Sequence, residues 1–279
     1  VEFTAIGWNL FHGRDFPPDP ALFTWRSRLL RISEENETHV QVNRGLEGEF
    51  ATMLGGGAWD VALLQECPPR FEAPLARACD AESHRVLTSR NSLGALRAAV
   101  ARLNPDLIAS GEGGSNLTLV RRRGALGRIA ERRELAIHEG KPERRAMAFS
   151  RTAGGVCIAN LHATNDIPEL AGEDVLLAAR TATEWAGGAP LLFGGDLNLR
   201  PAETPAIFAE LRERFGLDTP ATAPRAIDHL LGRRLDAAAA PTAWPPERRE
   251  LDRRGRALRL SDHAPIEARF RLPAAAGMR

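Results

Sequence analysis

The sequence predicts a single α/β domain, and three observations carry that expectation. Short apolar runs of strand length alternate with longer stretches whose apolar residues recur at helical spacing. Several of the short runs, such as Val61-Ala62-Leu63-Leu64 and Val156-Cys157-Ile158-Ala159, are almost continuously apolar, as strands covered on both faces are. No internal repeat, low-complexity linker or break in composition divides the 279 residues, a length that suits one large domain. Residues 1–272 are therefore expected to fold as one unit, with a flexible tail over 273–279.

Taken in order, residues 3–10 read as a first strand that closes on polar residues. A helix is expected over 43–54, where Leu46, Phe50, Met53 and Leu54 share a face and Gly55-Gly56-Gly57 stops the pattern. Residues 60–65 suit a buried strand and 85–88 another. Residues 93–103 are helical in spacing and are closed by Asn104-Pro105. Strands over 117–120 and 146–150 flank an arginine-rich connection. Two more buried strands, 156–162 and 190–194, enclose a helix over 172–185. A helix over 204–215, a short strand over 227–231 and a strand over 264–272 follow, the last with Ile266, Ala268 and Phe270 in alternation.

Composition removes several classes. Apolar residues make up 43% and charged residues 26%, as in ordinary globular chains. No apolar run reaches the roughly 18 residues that a membrane helix needs. Val1-Glu2-Phe3-Thr4-Ala5 has neither the basic nor the apolar region of a secretory leader. Cys67, Cys79 and Cys157 are odd in number and lack C-x-x-C spacing, which argues against a disulfide framework and a structural zinc site. A cytoplasmic setting without an obligate protein partner is expected. The net charge of +1 gives the whole molecule no pull on polyanions, and Lys141 is its only lysine. Clusters at Arg121-Arg122-Arg123, Arg132-Arg133, Arg144-Arg145 and between Arg248 and Arg259 each read singly as solvated charge. Together they would make a rim that contacts phosphates.

The chemistry lies where the strands end. Six apolar stretches close on a polar pair or run: Trp8-Asn9, Gln65-Glu66, Leu161-His162, Gly194-Gly195-Asp196-Leu197-Asn198, Ile227-Asp228-His229 and Ser261-Asp262-His263. Singly, each has a plainer explanation. An Asp or Asn after two glycines is usually a turn residue, and a lone Glu or His past a strand is usually a solvated end. Six such ends predict convergence at one mouth of a sheet, because a charge delivered by a buried strand needs a partner, a metal or water.

This series of motifs resembles that of the endonuclease/exonuclease/phosphatase superfamily. Members include pancreatic deoxyribonuclease, abasic-site endonucleases, sphingomyelinases and inositol-polyphosphate phosphatases. The resemblance runs from Trp8 to Ile266, and its specific pair is Gly-Asp-x-Asn (Gly195 to Asn198) followed by Ser261-Asp262-His263. It implies a four-layer sandwich: two stacked, mostly antiparallel sheets flanked by helices, with the site at one end.

It also implies a hydrolase of phosphate esters that depends on a divalent ion, Mg²⁺ with Mn²⁺ as a substitute. A phosphodiester repels an attacking hydroxide and has a poor leaving group, and a hard cation answers both problems. By resemblance Glu66 is the leading metal ligand, with Asn9 and Asp262 as direct or water-mediated partners. Asp196 would orient and deprotonate the attacking water, and Asn198 would fix Asp196 or a phosphate oxygen. His263 would contact the phosphate with Asp228 holding its ring, and His162 would be a second such group. Asn116, in Gly114-Ser115-Asn116-Leu117, resembles the segment that places an amide near the phosphate, and Arg145 is a further candidate for the substrate.

Tyrosine is absent, and His162 stands where abasic-site endonucleases generally have no histidine. Both features point away from base-excision repair and leave deoxyribonuclease-like, RNase-like and phosphatase- or phospholipase-like branches. A nucleic-acid phosphodiester is the expected substrate. A small phosphoester is the alternative, and a non-catalytic module on the same fold a third. The expectation of nucleic acid rests on the resemblance, on His162 and His263 as two histidines at one phosphate as in the deoxyribonuclease-like branch, and on the strands at 117–120 and 146–150 forming a hairpin whose arginines line a groove beside the site. The helix over 93–103 and the stretch from Pro241 to Pro246 with Trp244 are candidate specificity elements.

Overall fold

A computed structural model describes residues 1–88, 94–108, 113–139 and 143–273. The first half of the chain holds β1 (Glu2–Asn9), α1 (Trp25–Leu30), β2 (Glu34–Glu35), β3 (Val40–Gln41), α2 (Glu47–Gly56) and β4 (Val61–Gln65). Next come α3 (Glu72–Ala78), β5 (Ala81–Leu87), α4 (Gly94–Leu103), α5 (Pro105–Ile108) and β6 (Ser115–Arg121). The middle is β7 (Ile129–His138), β8 (Arg145–Thr152), β9 (Cys157–His162), α6 (Pro168–Ala186), β10 (Leu191–Asp196) and α7 (Pro205–Phe215). The last part is β11 (Asp228–Arg233), β12 (Asp236–Ala237), β13 (Thr242–Ala243), β14 (Glu250–Arg253), β15 (Arg256–Arg259) and β16 (Ile266–Arg271).

Two sheets carry the fold. One has the order β12-β16-β1-β4-β6-β5, with β13 also on β16, and the other has the order β11-β10-β9-β8-β7. Every pairing is antiparallel except one near the middle of each sheet, β1 with β4 and β9 with β10. A parallel pair sends two strand ends to the same edge. In register, Asn9 lies opposite Gln65, and His162 opposite Asp196.

Alternation decides which residues meet. In β1 the inward series Phe3, Ala5, Gly7 ends at Asn9; in β4, Val61 and Leu63 end at Gln65; in β10, Leu192 and Gly194 end at Asp196. Phe3, Val61, Leu63, Ile158, Leu192, Leu230 and Phe270 form an apolar core between the sheets. The opposite series, Ile6 and Trp8 in β1, packs with Phe50 of α2 and Leu75 of α3 on the outside of the seven-stranded sheet. Phe193 and Leu191 pack with Val175 of α6 and Leu211 of α7 outside the other sheet. Helix, sheet, sheet and helix make four layers, as the resemblance implies. Each fully buried leucine or phenylalanine contributes roughly 1.5–3 kcal/mol to holding them together.

The interior turns polar toward the site. Gln65 Nε2 donates to Asn160 Oδ1 across the gap between the sheets (2.7 Å), and Asn160 Nδ2 donates to the Leu64 carbonyl (3.3 Å) and Thr118 Oγ1 (3.4 Å). Gly195 makes this approach possible. It sits at φ +127, and a Cβ there would lie 2.1 Å from the Leu161 carbonyl oxygen and 2.9 Å from Gln65 Nε2. Gly195→Ala is therefore expected to cost about 3 kcal/mol or more, since backbone must move. Urea unfolding of the variant checks this, and an unchanged midpoint would show that the sheets are less closely apposed there.

Several expectations need correction. Strands 117–120 and 146–150 do not form a hairpin: β6 lies in one sheet and β8 in the other, and the partner of β8 is β7. That strand went unread because it is an edge strand with the polar run Glu131-Arg132-Arg133-Glu134. The strand expected at 85–88 begins earlier, at Ala81, because its first half is polar. Trp244 is buried, donating to Glu267 Oε2 (3.0 Å) beneath the guanidinium of Arg248, so it is a core element rather than a specificity loop. Residue 93 of the expected helix and residues 274–279 of the expected tail lie outside the described residues. Cys67, Cys79 and Cys157 are buried and free of disulfides.

Candidate active site

Strand ends of both sheets meet in one buried cluster. Asn9 ends β1, His162 ends β9, Asp196 ends β10 and Asp228 begins β11. Glu66 follows β4 by one residue and takes φ +46, a left-handed conformation uncommon outside glycine, which ends the strand. Asp262 and His263 lie just before β16, after Ser261 at φ +60. Ser261 Oγ donates to the Asn9 carbonyl (2.6 Å) and accepts from the His263 backbone N–H (3.0 Å). The Trp8 indole donates to the His263 carbonyl (3.0 Å), tying the Trp-Asn and Ser-Asp-His motifs together.

Asp196 is the centre. It is 2% exposed, and its Oδ2 accepts from Asn9 Nδ2 (2.9 Å) with the Nε2 atoms of His162 and His263 at 3.5 and 3.9 Å. Burial, and then the charge of Asp228, push its pKa up to about 7. His263 Nδ1 lies 2.8 Å from Asp228 Oδ2. Burial opposes a charge on that ring, but Asp228 and then Asp196 overcome it and raise the pKa to about 10. The opposite holds for His162, which burial and the nearby Arg145 guanidinium keep neutral, with a pKa of about 3. One histidine thus holds a proton at neutral pH and the other does not.

Glu66 has company that the motifs did not announce. Phe11, His12 and Gly13 form a left-handed turn (φ 48, 53 and 73) that points His12 Nε2 at Glu66 Oε2, 3.1 Å away. Asn9 Oδ1 holds the turn by accepting from the Phe11 N–H (2.9 Å), and Gly13 is required because a Cβ would lie 2.6 Å from the Phe71 ring. On the other side of the carboxylate, His162 Nε2 is 3.9 Å from Glu66 Oε1. Burial works against the charge on Glu66, yet the two rings and the Asn9 amide keep its pKa below the ordinary value.

Among the described residues, two places offer donors for a cation. Asp196, Asp228 and His263 bring one ligand atom each within 4.8 Å of one another. The His263 ring, however, is protonated and spent on Asp228, so this trio holds a proton better than a metal. Glu66 fits the implied ion better: its carboxylate stays charged, and it borders a cleft of about 140 Å³ with His12, His162 and Arg145, where a hard cation could keep part of its water.

The remaining expected residues are placed as follows. Asn198, at φ +52, donates its amide to the Ala163 carbonyl (3.1 Å), and its backbone N–H donates to Asp196 Oδ1 (3.2 Å), orienting that carboxylate. Asp262 is exposed on the rim. Asn116 is fully buried and gives its amide to the Ala146 carbonyl (2.8 Å), which braces β6 against β8. Arg145 is buried beside the cleft, with Nη2 3.4 Å from Asn165 Oδ1 and 3.6 Å from Glu143 Oε2. His229 of the Ile-Asp-His motif is turned away, with Nε2 2.9 Å from the Leu199 carbonyl and its ring against Phe208.

The clusters at Arg121 to Arg123 and at Arg132-Arg133 are elsewhere. β6 starts at the site and runs away from it, so Arg121 ends level with Asp60, donating to the carbonyls of Leu54, Gly55 and Gly57. Arg122 and Arg123 pair with Asp80, and Arg132 with Glu82.

No family model matches the sequence, and no curated protein matches it. Solved structures do. An endonuclease/exonuclease/phosphatase family protein from Bacteroides thetaiotaomicron superposes with a TM-score of 0.63 at 14% identity, over 98% of this chain and 99% of that one. A mannosyl-6-phosphatase from the same organism gives 0.62 at 14% identity, over 97% and 100%. TDP2 from C. elegans gives 0.57 at 16% identity, over 97% of this chain and 75% of that one. The chain therefore has the fold of the endonuclease/exonuclease/phosphatase superfamily, end to end.

Proposed function

We propose that the protein hydrolyses a phosphate ester by direct attack of water, with a divalent ion held at Glu66. The observation that carries this reading is the environment of Asp196: a buried carboxylate between a neutral and a charged histidine, braced by Asn9. Asp196, with a pKa near 7, is suited to accept a proton from water. His263, charged through Asp228, would donate to a phosphate oxygen, and Arg145 would neutralise another. Glu66, with His12 beside it, would hold the ion, which supplies charge neutralisation at the phosphate. Asn116 and Asn198 serve the frame, bracing a strand and orienting Asp196.

The substrate reading moves from nucleic acid toward a small phosphoester. A protein that tracks a phosphate backbone lines a groove with free cations. Here the clusters at Arg121 to Arg123 and at Arg132-Arg133 are engaged with carboxylates or carbonyls away from the cleft, Arg145 lines it, and Arg249 of the last cluster interacts with Asp262. Turnover of phosphomonoesters, small phosphodiesters, DNA and RNA, measured with Mg²⁺ or Mn²⁺ and with EDTA, tests both levels. Chelation is expected to abolish turnover and added metal to restore it, with a KM that is nearly independent of salt. Full activity in excess EDTA would sink the metal-dependent mechanism. Turnover of DNA or RNA alone, with KM rising steeply with salt, would return the case to a nuclease.

A further inference from the structure

Close to the site, two helices wear their apolar side outwards. Among the described residues, nine of the eleven exposed large apolar side chains fall between Phe16 and Leu30 or between Leu96 and Leu107. On α4, Leu96, Val100 and Leu103 follow at i, i+4 and i+7, a single stripe. Leu96 and Leu103 are each 62% exposed, whereas Ala101, on the other side of the helix, is fully buried. On α1, Trp25 and Leu29 share this spacing, with Leu30 beside them, at 65, 60 and 58% exposure. The two helices form one surface, because the Asn104 amide donates to the Arg28 carbonyl (2.6 Å) while Asn43 bridges Ser27 and Asn104. Globular proteins seldom leave a contiguous apolar patch of this kind bare, and such patches mark interaction sites.

On this face the two helices carry charge of one sign. Arg26, Arg28, Arg31 and Arg102 belong to it, and neither helix contains an aspartate or glutamate. Arg26, Arg31 and Arg102 are exposed. Carboxylates close by are already engaged: Glu34 accepts from Thr24 (2.7 Å), Glu35 pairs with Arg256 (3.4 Å) and Asp106 accepts from Gln41 (2.7 Å). The apolar character continues toward the catalytic cluster through Phe23, Phe16 and Phe11, whose rings touch in series (centroids 5.2 and 5.6 Å apart). They border an open cavity of about 300 Å³, and Phe11 is two residues beyond Asn9.

We propose that this face docks on an anionic lipid surface. A tryptophan and leucines at the depth of one helix face, ringed by arginines, is the arrangement by which helices lie in a membrane interface without crossing it. Among the described residues, no helix is long and apolar enough to cross. A second copy fits less well, because a two-fold interface would set the arginines of one such face against those of the other. Docking would turn the aromatic cavity, and the cleft behind it, toward the headgroups. It stands whether or not the site cleaves a phosphate ester.

The test is co-sedimentation of the full chain with phosphatidylcholine vesicles, with and without phosphatidylglycerol, alongside tryptophan fluorescence. The wild type is expected to bind the anionic vesicles with a blue shift that Trp25→Phe removes. Leu29→Glu with Leu103→Glu should lower partitioning at least about tenfold, from the apolar burial lost. Arg26→Glu with Arg31→Glu should lower it roughly fivefold for each charge. These side chains are exposed, so the melting midpoint and turnover of a water-soluble phosphoester should not change. Absence of wild-type binding to the anionic vesicles overturns the proposal, and a dimer dissolved by Leu29→Glu would identify a second copy instead. Equal binding to neutral vesicles overturns the anionic assignment.

Discussion

Asp196→Asn is expected to lower kcat by about three to four orders of magnitude, the upper part of the range for a positioned acid–base group. The substitution keeps the shape of the side chain and removes its ability to take a proton. It also places a second amide opposite Asn9 Nδ2, which in the wild type donates to Asp196 Oδ2. The fold should survive, because burying an uncharged amide is easier than burying a carboxylate whose pKa is already pushed up to about 7. Single-turnover rates and circular dichroism on the same preparation check both halves. A loss below tenfold with the fold intact would move the base elsewhere, and His162, the other neutral acceptor in contact with the site, would be examined next.

The second large effect concerns Asp228 and His263. His263→Ala is expected to lower kcat by about two to four orders of magnitude, and Asp228→Asn by less, since the ring remains but loses its orienting carboxylate. The pH profile separates the two roles. The proposed mechanism needs Asp196 ionised and His263 protonated, so kcat/KM should rise as pH passes about 7 and fall as it passes about 10. The sign for the alkaline limb follows from the cause. Asp228 and Asp196 raise the His263 pKa against burial, so neutralising Asp228 leaves burial with less opposition and moves that limb toward neutral pH. An alkaline limb that stays in place in Asp228→Asn would mean that another group titrates there.

What could be read in the sequence follows from the two-residue period of strands. An inward series such as Phe3, Ala5, Gly7 announces its core face, and the polar residue that closes it announces the end of the core. That is why Asn9, His162 and Asp196 could be expected at strand ends, and the four-layer setting followed from the resemblance. The direction in which a strand runs is not in its local pattern. Arg121 and Arg145 sit in similar surroundings in sequence, and only the sheet order places one at the far end and the other beside the cleft. His12 was missed for a related reason: its approach to Glu66 depends on two successive left-handed residues that are not glycine, Phe11 and His12, and no propensity suggests them. β7 escaped because half its face meets water.

Chain order and sheet membership disagree in a way that bears on synthesis. The five-stranded sheet is built from one stretch, Ile129 to Arg233, whereas the seven-stranded sheet takes β1, β4, β6 and β5 from before it and β12, β13 and β16 from after it. A growing chain can therefore complete the first of these sheets while the second still has an open edge at β1. Ser261, which bonds the Asn9 carbonyl, and His263, which Asp228 charges, leave the ribosome only after every other residue of the cluster. On the proposed mechanism, turnover is therefore expected only after the strand that closes the edge of β1 has arrived, with His263 just ahead of it.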